Sequence, residues 1–210
     1  MMSCFWKLSL FGMIMTYSPG PNNIMLASSG ANFGFRKSLP HMLGIVLGFE
    51  ILVIGSSLGI GALLEASPNL SLGLKCIGAA YLLYLAFKIA TNKSKLVSND
   101  HSVSQSKQNN IVNNTKPLTV MQAALFQPLN PKAWFIAVSG LALYIPHAMP
   151  MTQRTILAVV AFLLPTTSST ITWVAFGRSV RRFFADPVKL KRFNQATAAI
   201  LVAMIALLFI

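Results

Sequence analysis

Acidic side chains are nearly missing from this chain: four Asp and Glu stand against seventeen Lys and Arg in 210 residues. Charge of either sign is scarce, at 10% against about 25% in an ordinary soluble domain, which argues against a water-soluble globular fold. Only two cysteines occur, Cys4 and Cys76, in separate apolar segments without CxxC or metal-ligand spacing. They support neither a disulfide framework nor a metal site, and read as small packing residues. The histidines His41, His101 and His147 are too scattered for a ligand set, and no nucleophile has a base beside it in sequence. Nothing here assembles a catalytic constellation.

The basic excess, +13 in net charge, would suggest a nucleic-acid partner in a soluble protein. Here the Lys and Arg residues lie between apolar runs, the arrangement that orients membrane helices, so no nucleic-acid partner is expected.

Apolar residues are abundant, at 54% of the chain. A bilayer core takes about 20 apolar residues per helix, which leaves no stretch for a separate soluble domain. Apolar segments run over 5–35, 39–64, 70–90, 120–145, 156–176 and 193–210. The apolar run at 5–17 resembles a signal-peptide core, but apolar character resumes at Ile24 with no Ala-x-Ala site between, so a retained first helix is expected. The fold class expected is an all-α membrane protein of six transmembrane helices.

Residues 91–117 are rich in Asn, Ser, Lys and Gln and lack the apolar content of a core, so a flexible cytoplasmic linker is expected there. The linker separates a first three-helix unit, 1–90, from a second, 118–210. An odd number of spans in each half forces the halves into opposite orientations, an inverted repeat. Each half opens with a long span broken by two prolines, Pro19 and Pro21 in the first, Pro128 and Pro131 in the second. Paired broken helices in matching positions are a sequence-level pointer to a transporter's binding site.

Thirteen basic residues fall on one side of the expected spans: Arg36, Lys37, Lys88, Lys93, Lys95, Lys107, Lys116, Arg178, Arg181, Arg182, Lys189, Lys191 and Arg192. Lys7, Lys75 and Arg154 fall on the other. This division places the first group in the cytoplasm and both termini outside it, with 178–193 along the cytoplasmic surface.

Proline lacks the N–H that bonds back four residues, so both breaks free carbonyls that hydrocarbon cannot satisfy. The expected binding residues are therefore Pro19, Gly20, Pro21, Asn22 and Asn23 with Asn130, Pro131 and Lys132. Asn22 or Asn23, and Asn130, sit where a resumed half-helix wants a cap, and its free N–H groups suit a substrate carboxylate. The alternative is that the prolines only kink packed helices. Glu50 and Lys132 fall near mid-span, where charge is costly and faces a cavity or a partner. Lys132 either binds the substrate carboxylate or pairs with Glu50, and Glu50 is the candidate proton-coupling group, set against coupling through backbone and water. Gly44, Gly48, Gly55 and Gly59 offer a face for close helix approach. The hydroxyls from Thr166 to Thr170 either satisfy carbonyls freed by Pro165 or line the path.

The motifs Pro19-Gly-Pro-Asn-Asn23, Gly34-Phe-Arg36, Gly44 with Gly48, Asn130-Pro-Lys132-Ala-Trp134 and Gly177-Arg178, in this order, resemble the LysE/RhtB-type amino-acid exporter family over nearly the whole chain outside the linker. The resemblance implies a six-helix carrier of the bacterial inner membrane, not an enzyme. Such a carrier exports small amino acids on the proton gradient and uses no cofactor. A passive pore or a membrane-embedded enzyme is the alternative. Implied partners are the amino-acid substrate, protons and the lipid bilayer, with homo-oligomerisation left open. The stretch 78–95 is most similar to members that export cysteine and O-acetylserine. Two residues depart from the family pattern: Ser38, where relatives place a second glycine, and Glu50, where an apolar residue is expected.

Overall fold

The computed structural model describes residues 1–61, 66–91, 116–146, 148–183 and 187–206. Most of the expected linker, with His101 in it, and His147 lie outside the described residues. Among those described, every regular element is helical.

The first apolar segment forms two helices, α1 (Met2–Tyr17) and α2 (Pro21–Phe33), separated at 18–20. At 1.5 Å per residue they are about 24 and 20 Å long, and a bilayer core of about 30 Å needs both. A tight turn at Gly34 leads into α3 (Phe35–Ser57). Gly34 has φ 79 and ψ 174, a region essentially restricted to glycine. Ser38 is fully buried there and bonds Ser29 Oγ at 2.8 Å and the Gly34 carbonyl at 2.9 Å. The serine in place of a glycine thus pins α3 to α2.

Helix α4 (Pro68–Ala90) follows, and the second half opens with α5 (Val120–Phe126), a 3-10 turn (Gln127–Leu129) and α6 (Pro131–Tyr144). Thr119 starts α5 with a capping box, its hydroxyl accepting from Gln122 N while the Gln122 side chain accepts from Thr119 N. Both expected breaks are thus real interruptions and not smooth kinks. Helix α7 (Met151–Phe183) has 33 residues, about 50 Å. The last described helix is α8 (Pro187–Ala206).

The described parts of the expected surface segment 178–193 are helical. Its first part continues α7, and its last part is the opening of α8. Leu190, Asn194, Thr197, Ala198 and Leu201 are all buried, a stripe at helical spacing that seats α8 on the bundle, while Arg178, Lys189, Lys191 and Arg192 are exposed.

Among the described residues, three single helices, α3, α4 and α7, are by length and composition able to cross a membrane. The outward face of α3 carries Leu39, Leu43, Leu47, Ile51 and Ile54, all exposed. Water disfavours such a continuous apolar stripe, and lipid accepts it. Cys76 is exposed on α4, and Cys4 is half-buried. Cys76 therefore does not pack inside the bundle as expected.

Helix order follows from small residues. Ser9 bonds the Ala161 carbonyl, Thr16 meets Pro165 and Ser169, and a Cβ on Gly30 or Gly177 would strike the Val174 or Ala27 carbonyl. From Ser9–Ala161 through Thr16–Pro165 to Gly30–Val174 the pairs advance together, so α1 and α2 run alongside α7 in the same direction. In the same way Gly44 meets Val120, Gly48 meets Ala124 and Gly61 meets Val138, so α3 runs alongside α5 and α6. Gly44 and Gly48 give the close approach expected of the glycine face. Gly55 meets only Ile60, and Gly59 lies beyond α3 in a turn with φ 94. Two apolar clusters result, one around Met25, Ile45, Leu85 and Phe126, the other around Phe49, Val53, Ile136 and Phe162.

Candidate functional site

The two helix breaks meet at the junction of these clusters. Around the first, carbonyls left without helical donors find side chains. Ser18 Oγ donates to Met15 O at 2.8 Å, filling the place of the N–H that Pro19 lacks. Asn23 donates to Thr16 O at 2.7 Å and Ser18 O at 2.8 Å, and Ser169 Oγ donates to Thr16 O at 2.8 Å. Lys132, reaching from the second break, donates from Nζ to Ser18 O, to Ser18 Oγ at 2.8 Å and to Pro19 O at 3.2 Å. Gly20 makes room for it, since a Cβ there would lie 2.8 Å from Lys132 Cδ.

This explains a cation in the first turn of α6, where it opposes its own helix dipole. The ammonium sits beyond the C-terminus of α1, and that negative end favours it. The expected Lys132–Glu50 pair is not formed. Lys132 bonds the other break, and both carboxylate oxygens of Glu50 are buried with no hydrogen-bond partner. Glu50 shares a face of α3 with Val46, Val53 and Ser57, and Ser57 bonds Thr155 of α7 at 2.7 Å.

At the second break Asn130 caps α6 as expected, accepting from Lys132 N at 3.1 Å. The matching expectation for Asn22 and Asn23 fails, because α2 begins at Pro21 and its N-cap is Gly20, without a side-chain cap bond. Their amides serve tertiary bonds instead. Asn22 and Gln127 exchange two hydrogen bonds, 2.8 and 3.2 Å, which clasp the breaks together. Pro128 O accepts from Trp134 Nε1 at 2.8 Å.

Between the breaks lies a cavity of ≈ 40 Å³ lined by Thr16, Gly20, Asn22, Asn23, Gln127, Asn130 and Lys132, with Ile45 and Phe49 of α3 and Thr166, Ser169 and Thr170 of α7. Pro19, Pro21 and Pro131 shape the breaks without lining it, and Glu50 stands outside it. The volume holds about three waters, so a larger solute enters only when the lining helices part. Thr166 Oγ1 is buried without a partner. The carbonyl freed by Pro165 is that of Ala161, which receives Ser9 Oγ from α1 at 3.2 Å. The α7 hydroxyls Thr166, Ser169 and Thr170 line the cavity wall, Ser169 donating to Thr16 O and Thr170 to Thr167 O at 2.8 Å each, while Thr166 is the one of the three without a partner.

Sequence reasoning missed Thr16, Ser18 and Gln127. Gln127 is fully buried, and its signal was visible as an amide inside an apolar run directly before Pro128. Among the described residues no group of His, Cys, Asp and Glu could hold a metal ion.

The family model for LysE type translocators matches residues 13–210. The chain belongs to this family. This translocator is a transporter and not an enzyme, as its motifs implied. It is similar to the cysteine/O-acetylserine efflux protein of Escherichia coli, 31% identical in one strain and 30% in another over 190 residues, with 88% of this chain and 86% of the relative covered. An uncharacterized membrane protein of Pseudomonas aeruginosa is 31% identical over 163 residues, 76% of this chain and 73% of the relative. No solved structure matches the translocator.

Proposed function

We propose that this chain exports a small amino acid, of the size of cysteine or O-acetylserine, across the bacterial inner membrane at the expense of the proton gradient. The observation that carries the reading is the meeting of two interrupted helices around one buried polar cavity. Discontinuous helices bring unwound backbone and half-helix ends to a substrate at mid-depth. The cavity offers amides, hydroxyls and the Lys132 ammonium, the groups an α-amino acid needs for its carboxylate and amine. Its small volume fits the occluded state of a carrier, and an open pore has no such state.

In this reading the halves 1–90 and 118–210 form an inverted repeat joined by the linker at 91–117. Support comes from the packing: α7 accompanies the first broken helix as α3 accompanies the second. Exchanging the halves maps one pair onto the other. The thirteen basic residues on one side favour a cytoplasmic linker and termini on the opposite face. Glu50, buried and unpaired one residue beyond the cavity-lining Phe49, gives the carrier a place to hold a proton. One charge moved through 100 mV supplies about 2.3 kcal/mol, enough for roughly fiftyfold export.

The test is transport of radiolabelled L-cysteine and O-acetyl-L-serine by purified protein in sealed proteoliposomes. Saturable flux that accelerates under an imposed proton gradient and shows counterflow is expected. Flux that never saturates would identify a pore, and no flux of any amino acid in a broad panel would refute the reading.

A further inference from the structure

A second polar cavity lies on the α2–α3 seam, toward the end of the bundle that carries Arg36, Lys37, Lys88 and Lys116. It encloses ≈ 40 Å³, and Ser28, Ser29, His41, Lys88 and Lys116 are among its lining residues. His41 is 2% exposed, and neither ring nitrogen has a hydrogen-bond partner. A buried polar group left unpaired is costly, and this one lines a cavity. Two lysines share that cavity, and among the described residues no acidic side chain lines it. Glu50, the one acidic residue among those described, is about 13 Å further along α3. Among the described residues, the donors and positive charge here have no anion to meet.

The two cavities lie in series. Asn22 and Asn23 line the central one and Ser28 and Ser29 the second, about 9 Å further along α2. On α3, Ile45 lines the central cavity and His41 the second, one helical turn away. Between them Met25, Leu26, Ile45 and Phe126 belong to one apolar cluster. Met25 is buried and also lines the second cavity, and an unbranched thioether is the side chain best able to swing aside.

We propose that the second cavity is a waiting site for the substrate's carboxylate, one apolar layer short of the central site and on the face bearing the basic residues. Lys88 and Lys116 draw the anion in, His41 donates to it at the bottom, and Met25 and Ile45 bar the way until the helices part. This rests on the export reading above. An anionic lipid headgroup carries the same charge, but the alignment with the central cavity along α2 and α3 favours the transported solute.

The test compares the parent with Lys88→Gln/Lys116→Gln and with His41→Leu, in uniformly oriented phosphatidylcholine proteoliposomes with radiolabelled L-cysteine. Both variants should raise KM about tenfold when substrate is offered from the basic face. The maximal rate from that face and KM from the opposite face should stay at the parent value, while the maximal rate from the opposite face falls about tenfold, because Vmax/KM in the two directions is tied by one equilibrium constant and the leaving solute loses its stepping site. His41→Leu should also keep or raise thermal stability, since the ring nitrogens it removes have no partners, whereas a purely structural histidine would cost stability. Unchanged KM on both faces, or an equal rise on both, overturns the proposal. So does a KM effect that appears only when phosphatidylglycerol is added, which would assign the cavity to lipid. A parent that transports no amino acid refutes the export reading itself, and the waiting site with it.

Discussion

Replacing Lys132 by methionine separates two roles that the residue combines. The side chain keeps its length and loses its charge, so Ser18 O, Ser18 Oγ and Pro19 O lose the donor that ties the first break to the second. Hydrogen bonds from a charged donor contribute about 1.5–3 kcal/mol each. The bond to Pro19 is exposed and counts for little, which leaves the two to Ser18. Against these stand about 2 kcal/mol of side-chain entropy regained and the relief of a partly dehydrated ammonium. A net loss of at most about 1–4 kcal/mol follows, and for a chain of this size the melting midpoint falls by roughly 2–16 °C. The assay is thermal unfolding of purified protein in detergent without substrate, followed by intrinsic tryptophan fluorescence. Transport should fall as well, because the cavity loses the Lys132 cation. An unchanged midpoint alongside lost transport would refute the reasoning, since Lys132 would then serve the substrate alone and contribute nothing to holding the breaks together.

Glu50→Gln should leave counterflow of labelled substrate intact and abolish its response to an imposed pH gradient; gradient-driven export equal to the parent at equal expression would remove Glu50 from coupling. Gly177→Val drives a side chain into the Ala27 carbonyl and should separate α2 from α7, costing more than about 2 kcal/mol; a monodisperse size-exclusion peak with the parent's melting midpoint would show that the close approach is dispensable. A single cysteine in a C-terminal tag, with Cys4 and Cys76 replaced, should react with a membrane-impermeant maleimide in cells whose outer membrane alone is permeabilised. Labelling only after the inner membrane is opened would reverse the orientation.

Much of the architecture was legible because the bilayer leaves few choices. Low charge and long apolar runs required helices, and prolines paired two residues apart at 19 and 21, and three apart at 128 and 131, required interruptions, since a missing N–H is a local covalent fact. Asn130 as a cap was equally local, as it stands directly before Pro131 at the start of α6. The sequence also marked Glu50 and Lys132 as costly charges needing an explanation. What it could not supply was their partners. Lys132 is separated from Ser18 by 114 positions, and pairing it with Glu50 was a choice by charge alone, whereas the carbonyls at the end of α1 offer a negative pole that no residue letter records. Asn22 looked like a cap for the same reason that Asn130 is one. Only the approach of Gln127, 105 positions away, turned its amide into a clasp. Whether Thr166, Ser169 and Thr170 heal a proline kink or line a cavity was likewise undecided until Ser9 took the Ala161 carbonyl. Local chemistry fixed where the chain must break and which atoms go unsatisfied, and tertiary packing decided which distant groups satisfy them, because hydrogen bonds form between neighbours in space whatever their separation along the chain.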